Sequence, residues 1–330
     1  MVRTPYRLAK MRVMLPFSGI RLLSFAVLFM SGIGLVNAQS AINNAANNYL
    51  KKRADAFMTI TGYSLTPDVT TGSLSIRNNG GDNSDLQMIS LGGGDRISAN
   101  FPLYLEGTLA VNRYNPTFTD GIANTSVTVP VHWNSITGTG GIGWDFPITN
   151  ELRLRPIANV MLGHLESDLS IASRVLENRT GVDMQFLNGG RMNSYGLGGS
   201  VMLDYENYKP EQEIDVELRY TNIGVQTFDT SAAVKGSADS QSLGLWARSR
   251  IPTPIMLLDR PLRAVFEVAH TEFLGNLRGA LGFNSLSSIG TGFEIDRSAS
   301  DPIFSRVRVV FRYQFGQNVH GTSIGLAASF

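Results

Sequence analysis

Residues 303–316, IFSRVRVVFRYQFG, alternate with a period of two. Ile303, Ser305, Val307, Val309, Phe311, Tyr313 and Phe315 occupy one set of positions, and Arg306, Arg308, Val310, Arg312 and Gln314 occupy the other. That period is the signature of a β-strand, whose successive side chains leave opposite faces. An apolar row backed by arginines does not suit a soluble sandwich with both faces covered. It suits a strand with lipid on one side and water or polar side chains on the other.

The pattern recurs along the chain. LRLRPIANVML sets Leu152, Leu154, Ala158, Val160 and Leu162 against Arg153, Arg155 and Asn159. EIDVELRY sets Ile214, Val216, Leu218 and Tyr220 against Glu213, Asp215, Glu217 and Arg219. LGLWARSRI places Leu243, Leu245, Ala247 and Ile251 opposite Trp246, Arg248 and Arg250, and LRAVFEVA places Ala264, Phe266 and Val268 opposite Arg263 and Glu267. Gly-rich strands end alike in GGIGWDFPITNE, GGSVMLDYENYKPEQ and GTGFEIDRSASDP, each running into a short Pro, Asn or Asp turn. Longer links fall at 116–133, 166–192, 229–239 and 275–285. Alternating short and long connections predict an antiparallel transmembrane β-barrel with short periplasmic turns. Its strands are expected at 70–78, 86–100, 103–115, 135–147, 151–165, 194–207, 212–228, 240–251, 261–274, 286–297, 302–316 and 319–330. That is about twelve, and an even count returns both chain ends to one side of the membrane.

The N-terminus sets the compartment. Residues 1–38 hold Arg3, Arg7, Lys10, Arg12 and Arg21, no acidic residue, and the apolar run LLSFAVLFMSGIGLV before Val36-Asn37-Ala38. A basic segment, a short apolar core and small residues at −3 and −1 predict a cleaved secretory signal. The apolar run is short of the ~20 residues a spanning helix needs. Cleavage removes five of 28 basic residues and none of the 27 acidic ones, leaving 23 against 27 and a net charge of −4. Nucleic acid then has no basic footprint to bind. The chain has no cysteine, which excludes a disulfide framework and thiolate metal ligands, and no pattern calls for a cofactor. The expected organisation is a signal peptide over 1–38, an N-terminal helix and linker over 39–68, and an all-β barrel over 69–330. Within AINNAANNYLKKRADAF, residues 41–57, Ala41, Ala45, Ala46, Tyr49, Leu50, Arg53 and Phe57 recur at helical spacing. Its polar surface suits the pore of the barrel, and a periplasmic helix is the alternative.

A cleaved signal, a short polar helix, twelve strands and a terminal Phe together resemble the translocator barrel of autotransporters. The resemblance covers 41–330 and rests on architecture. It implies a bacterial outer-membrane location, Sec export, contact with outer-membrane lipid and lipopolysaccharide, and insertion by the barrel-assembly machinery, which reads the last strand. In GTSIGLAASF that signal falls on Ile324, Leu326, Ala328 and Phe330. Only Gln39 and Ser40 separate the expected cleavage site from the helix, so the expectation is a barrel without a passenger of its own. Some members of the family cut between paired asparagines of the helix, and the corresponding residues here are Asn43, Asn44, Asn47 and Asn48. A polar helix bonding to the lumen is the plainer explanation of those pairs.

Motifs for chemistry are weak by comparison. Gly321-x-Ser323-x-Gly325 has the spacing of a hydrolase nucleophile, yet no helix, acid or histidine follows it. GTGGIG, residues 138–143, has dinucleotide spacing but leads into Trp144, Asp145, Phe146 and Pro147, not into a helix. His132, His164, His270 and His320 are dispersed, and only GHLESD at 163–168 gathers His, Glu, Ser and Asp locally. The inward-facing set carries more information. It is expected to comprise Arg153, Arg155, Arg248, Arg250, Arg263, Arg306, Arg308, Arg312, Glu213, Asp215, Glu217 and Glu294, accompanied by Glu267 and Asp296. The reading this supports is a non-enzymatic outer-membrane barrel. A narrow, porin-like channel for small solutes is the first alternative, and a surface enzyme acting on lipid or peptide is the second.

Overall fold

The computed structural model describes residues 70–77, 83–98, 101–115, 119–122, 125–128, 132–167, 191–229, 237–257, 260–280, 282–296 and 306–329. All lie within one compact unit, Ala45–Phe330. The signal segment, the helix expected over 41–57 with its asparagine pairs, and Phe330 lie outside the described residues.

The strands are β1 (Thr70–Arg77), β2 (Asn83–Ser98), β3 (Phe101–Asn115), β4 (Thr119–Ile122), β5 (Thr125–Thr128), β6 (Trp133–Trp144), β7 (Phe146–Pro147), β8 (Leu152–Ser167), β9 (Arg191–Tyr208), β10 (Glu213–Phe228), β11 (Ser237–Leu257), β12 (Arg260–Gly275), β13 (Ser285–Asp296), β14 (Arg306–Gly316) and β15 (Val319–Ser329). Thirteen of them share one sheet, and without the two-residue β7 the wall has the twelve strands expected from the sequence, in the expected order. Every wall strand pairs antiparallel with its neighbours. β15 returns to β1 from Thr70↔Gly325 to Ile76↔Val319, and β6 meets β8 from Trp133↔Ser167 to Gly143↔Ile157, so the sheet closes. β4 and β5 form a separate hairpin in the link between β3 and β6. The sequence had placed only a loop there, although TDGI and TSVT carry strand-forming Thr, Ile and Val around a short turn.

Closure fixes the size of the barrel. Traced once round the ring through the paired residues, the register has advanced by about 14 residues on its return to β1. With ~3.3 Å per residue and ~4.7 Å between strands, that offset tilts the strands by about 40° and gives a backbone diameter of about 23 Å.

The alternation read in the sequence is the alternation of the wall. On β14, Phe311 is 57% exposed while Val310 is 1% exposed. Outward rows elsewhere hold Leu105, Leu109 and Val111 on β3, Val160 and Leu162 on β8, and Phe266 and Val268 on β12, all exposed. So continuous an apolar surface has no place in water and matches the hydrocarbon core of a bilayer. β2–β3, β9–β10 and β11–β12 turn tightly at one end, whereas β3–β6, β8–β9, β10–β11 and β12–β13 are joined by longer links at the other. An even, closed, antiparallel ring with an apolar outside and unequal ends is an outer-membrane β-barrel. Phe311→Arg is expected to destabilise it by about 2–4 kcal/mol, as for an arginine placed in mid-bilayer. Urea unfolding from lipid vesicles measures this, and a loss well under ~1 kcal/mol would place Phe311 in water instead.

Candidate functional site

Inward-facing charges gather in the half of the barrel nearest the short turns. β10 begins with Glu213, Asp215, Glu217 and Arg219 on its inner face, and β11 ends with Arg248 and Arg250 beside them in the ladder. Arg250 reaches Asp215 at 2.9 Å, Glu213 at 3.2 Å and Glu294 of β13 at 3.6 Å. Glu213 also takes Arg263 at 2.7 Å and Arg306 at 2.8 Å. Arg306 lies on β14, separated from β10 in the ring by β11, β12 and β13, so this pair reaches through the interior. Glu294 has no exposed surface and meets Arg308 at 3.3 Å. Glu267 on β12 holds Arg248 at 2.7 Å and Arg312 at 2.6 Å.

The opposite wall repeats the arrangement. Arg155 on β8 lies between Asp145 and Asp204, 2.8 Å from the latter, with its guanidinium carbon 3.9 Å from the centre of the Tyr104 ring. Arg153 pairs with Glu206. Glu106 on β3 takes both amino groups of Arg219, at 2.8 and 2.6 Å, together with the Asn159 amide at 2.7 Å. β3 and β10 are separated in the ring by β6, β8 and β9, so this is a second link across the lumen. Glu217 lies on the inner face of β10 between Asp215 and Arg219. Of the twelve inward residues named from the sequence, nine pair within the group around Glu213, Glu267 and Glu294. Arg153 and Arg155 pair within a second group around Asp145 and Glu206, while Glu217 shares the inner face of β10 with the first. Arg96, Glu106, Asp145, Asp204 and Glu206 were missed. Their signal was an inward i, i+2 spacing, as in Tyr104-x-Glu106 and Asp204-x-Glu206, within segments too Gly- or Tyr-rich to look charged.

Glycines make room for these groups. A Cβ on Gly141 would fall 2.6 Å from Asn159 Nδ2 and 2.6 Å from Glu106 Cγ, and one on Gly290 would fall 2.9 Å from Arg312 Cγ. The glycines of GTGGIG thus leave space for a buried ion pair rather than for a nucleotide.

Toward the longer links the inner face changes character. Leu86, Met88, Ala110, Met161, Leu165, Met192, Ile223, Val225 and Phe273 are buried there. Among the described residues, no inward side chain beyond Arg312 and Arg219 carries a charge. A cavity of about 1040 Å³ lies against this region, lined by the inward residues Met88, Asn112, Gly290, Arg312 and Ser323 with their flanking backbone. Ser323 is buried in its wall. His164 bonds to Asn193 at 2.7 Å, and Asp168 of the GHLESD group lies outside the described residues. In the last strand Ile324 and Leu326 face outward and are exposed, and Ala328 pairs with Val307.

Arg219→Met is expected to destabilise the barrel by about 3–5 kcal/mol, because it strands the buried Glu106 carboxylate. Pairing it with Glu106→Gln should recover most of that loss in urea unfolding followed by tryptophan fluorescence.

No family model matches the chain, and no curated protein matches it. Among solved structures, the β domain of the Bordetella autotransporter BrkA is similar at 11% identity and a TM-score of 0.43, over 80% of this chain and 100% of that one. The transport unit of the autotransporter AIDA-I from Escherichia coli is similar at 14% identity and a TM-score of 0.43, over 79% and 88%. The KdgM porin in complex with disordered oligogalacturonate is similar at 9% identity and a TM-score of 0.32, over 79% and 99%. At such scores the fold assignment stands on the closed ring itself.

Proposed function

We propose that the protein is a translocator-type barrel of the bacterial outer membrane, closed to bulk solute by an arginine–carboxylate belt, with no chemistry performed in its lumen. The observation that carries this reading is the pair of links between strands that are not neighbours, Glu106–Arg219 and Glu213–Arg306. Carboxylates each held by two or three guanidiniums, as Glu267 and Glu213 are, are poorly placed to act as base or nucleophile. In this reading the two links across the lumen obstruct the section through which a solute would pass. Residues 41–57 add to this closure in the proposal rather than provide it. Insertion would follow Sec export and use the barrel-assembly machinery, with Ile324, Leu326, Ala328 and Phe330 as the signal it reads.

A narrow solute channel is favoured by one observation, the cavity of about 1040 Å³ with Arg312 in its lining. Planar-bilayer recording separates the two readings. The closed barrel predicts little conductance in the wild type, little change when residues 39–60 are deleted, and larger openings when Glu106→Gln and Glu213→Gln are combined. Steady large conductance in the wild type overturns the belt as the closure, and opening on deletion of 39–60 assigns the closure to the N-terminal segment.

A further inference from the structure

Facing away from the lumen, a polar group interrupts the apolar surface where β12 and β13 approach the longer links. The outward row of β12 runs Ala264, Phe266 and Val268 and then changes to His270 and Glu272. That of β13, read in the same direction, runs Phe293, Thr291 and Ile289 and then changes to Ser287 and Ser285. His270 and Ser287 are opposite partners in the ladder. The ring nitrogen Nδ1 lies 2.8 Å from Ser287 Oγ, and Nε2 lies 3.2 Å from Glu272 Oε1. In the tautomer that carries its proton on Nε2, the ring donates to the Glu272 carboxylate oxygen. Nδ1 is left as an acceptor, and the Ser287 hydroxyl donates to it.

That is the order of a nucleophile, its base and the carboxylate that orients the base. We propose that Ser287, His270 and Glu272 form a hydrolytic site on the lipid-facing wall, acting on the carboxylic acyl ester of a membrane lipid. The surroundings select the substrate class. Leu245 lies opposite His270, Leu243 opposite Glu272 and Phe315 opposite Ser287, and all three are exposed. They form a bed for acyl chains, while the polar trio sits at the edge of the apolar band, the depth at which a lipid's ester linkages lie.

In the first half of the reaction Ser287 Oγ bonds to the carbonyl carbon and its proton passes to Nδ1. The bond from that carbon to the alcohol oxygen breaks, and the departing alkoxide takes the proton from Nδ1. Water then adds to the acyl-serine carbonyl, giving a proton to Nδ1, and the bond to Oγ breaks. The fatty acid leaves, and Ser287 recovers its proton from Nδ1. The site uses none of the lumen residues and stands independently of how the barrel is closed.

The test uses the full barrel in phospholipid–detergent micelles, with folding of each variant checked by its heat-dependent gel mobility. A fluorophosphonate probe is expected to label the wild type and Ser285→Ala equally but not Ser287→Ala. Fatty-acid release from the phospholipid should fall by about 10²–10⁴-fold in Ser287→Ala and in His270→Gln, and less in Glu272→Gln. Absence of label on Ser287, or equal release by wild type and Ser287→Ala, overturns the site. Labelling of Ser287 without release of fatty acid overturns the lipid ester as its substrate.

Discussion

A strand in hydrocarbon has no water to satisfy its backbone, so every amide and carbonyl in the wall must find a partner in another strand. The pairing of β15 with β1 is the contact that meets this constraint at the ends of the chain, since without it both strands would present open edges to lipid. Much else depends on that closure. It sets the tilt and diameter through the register offset, and it makes two environments out of one alternating pattern. It also confines the inward charges to a space in which they must pair or remain hydrated.

How they pair explains the composition of the inner face. Every described cation of the belt is an arginine, whose planar fork can hold two carboxylates at once, as Arg155 holds Asp145 and Asp204 and as Arg250 holds Asp215 and Glu294. A lysine would offer a single point of charge. Pairing of this kind adds little net stability over well-packed apolar side chains. Its effect falls instead on register. A slip of one residue in any strand would turn its arginines toward lipid and its apolar row inward, at a cost the outer face cannot bear.

The fold was legible in the sequence because period-two alternation reports inside and outside without reference to any distant residue. RVRVVFRYQF states both faces of β14 by itself, and Leu152–Leu162 states those of β8. The belt was legible only where charges were dense. Glu213, Asp215 and Glu217 announce themselves, but Glu106 sits alone between Leu105 and Gly107 and gains its meaning from Arg219, 113 residues away. The β4–β5 hairpin was missed because its two strands are only four residues each, shorter than a periodic pattern needs. The bond from His270 to Ser287 was not legible in the sequence for a related reason. GHLESD drew attention because its groups are adjacent in sequence, whereas His270 meets Ser287 across a ladder, 17 residues on. Adjacency along a strand sends neighbouring side chains to opposite faces. Partners on one face come at i+2 or from the next strand, which is where Glu272 and Ser287 stand.

The division of labour between the two faces follows from the same geometry. Inside, Glu267 is held by Arg248 and Arg312, and Glu213 by Arg250, Arg263 and Arg306. A carboxylate flanked by two or three guanidiniums is engaged on all sides in ion pairing. Outside, His270 has one carboxylate and one hydroxyl, half of its surface exposed, and Leu245 and Ser287 as its ladder partners. The inner face has the charge density but has spent it on holding the wall in register. On the outer face His270, Glu272 and Ser287 meet, each with a partner suited to a step in acyl transfer.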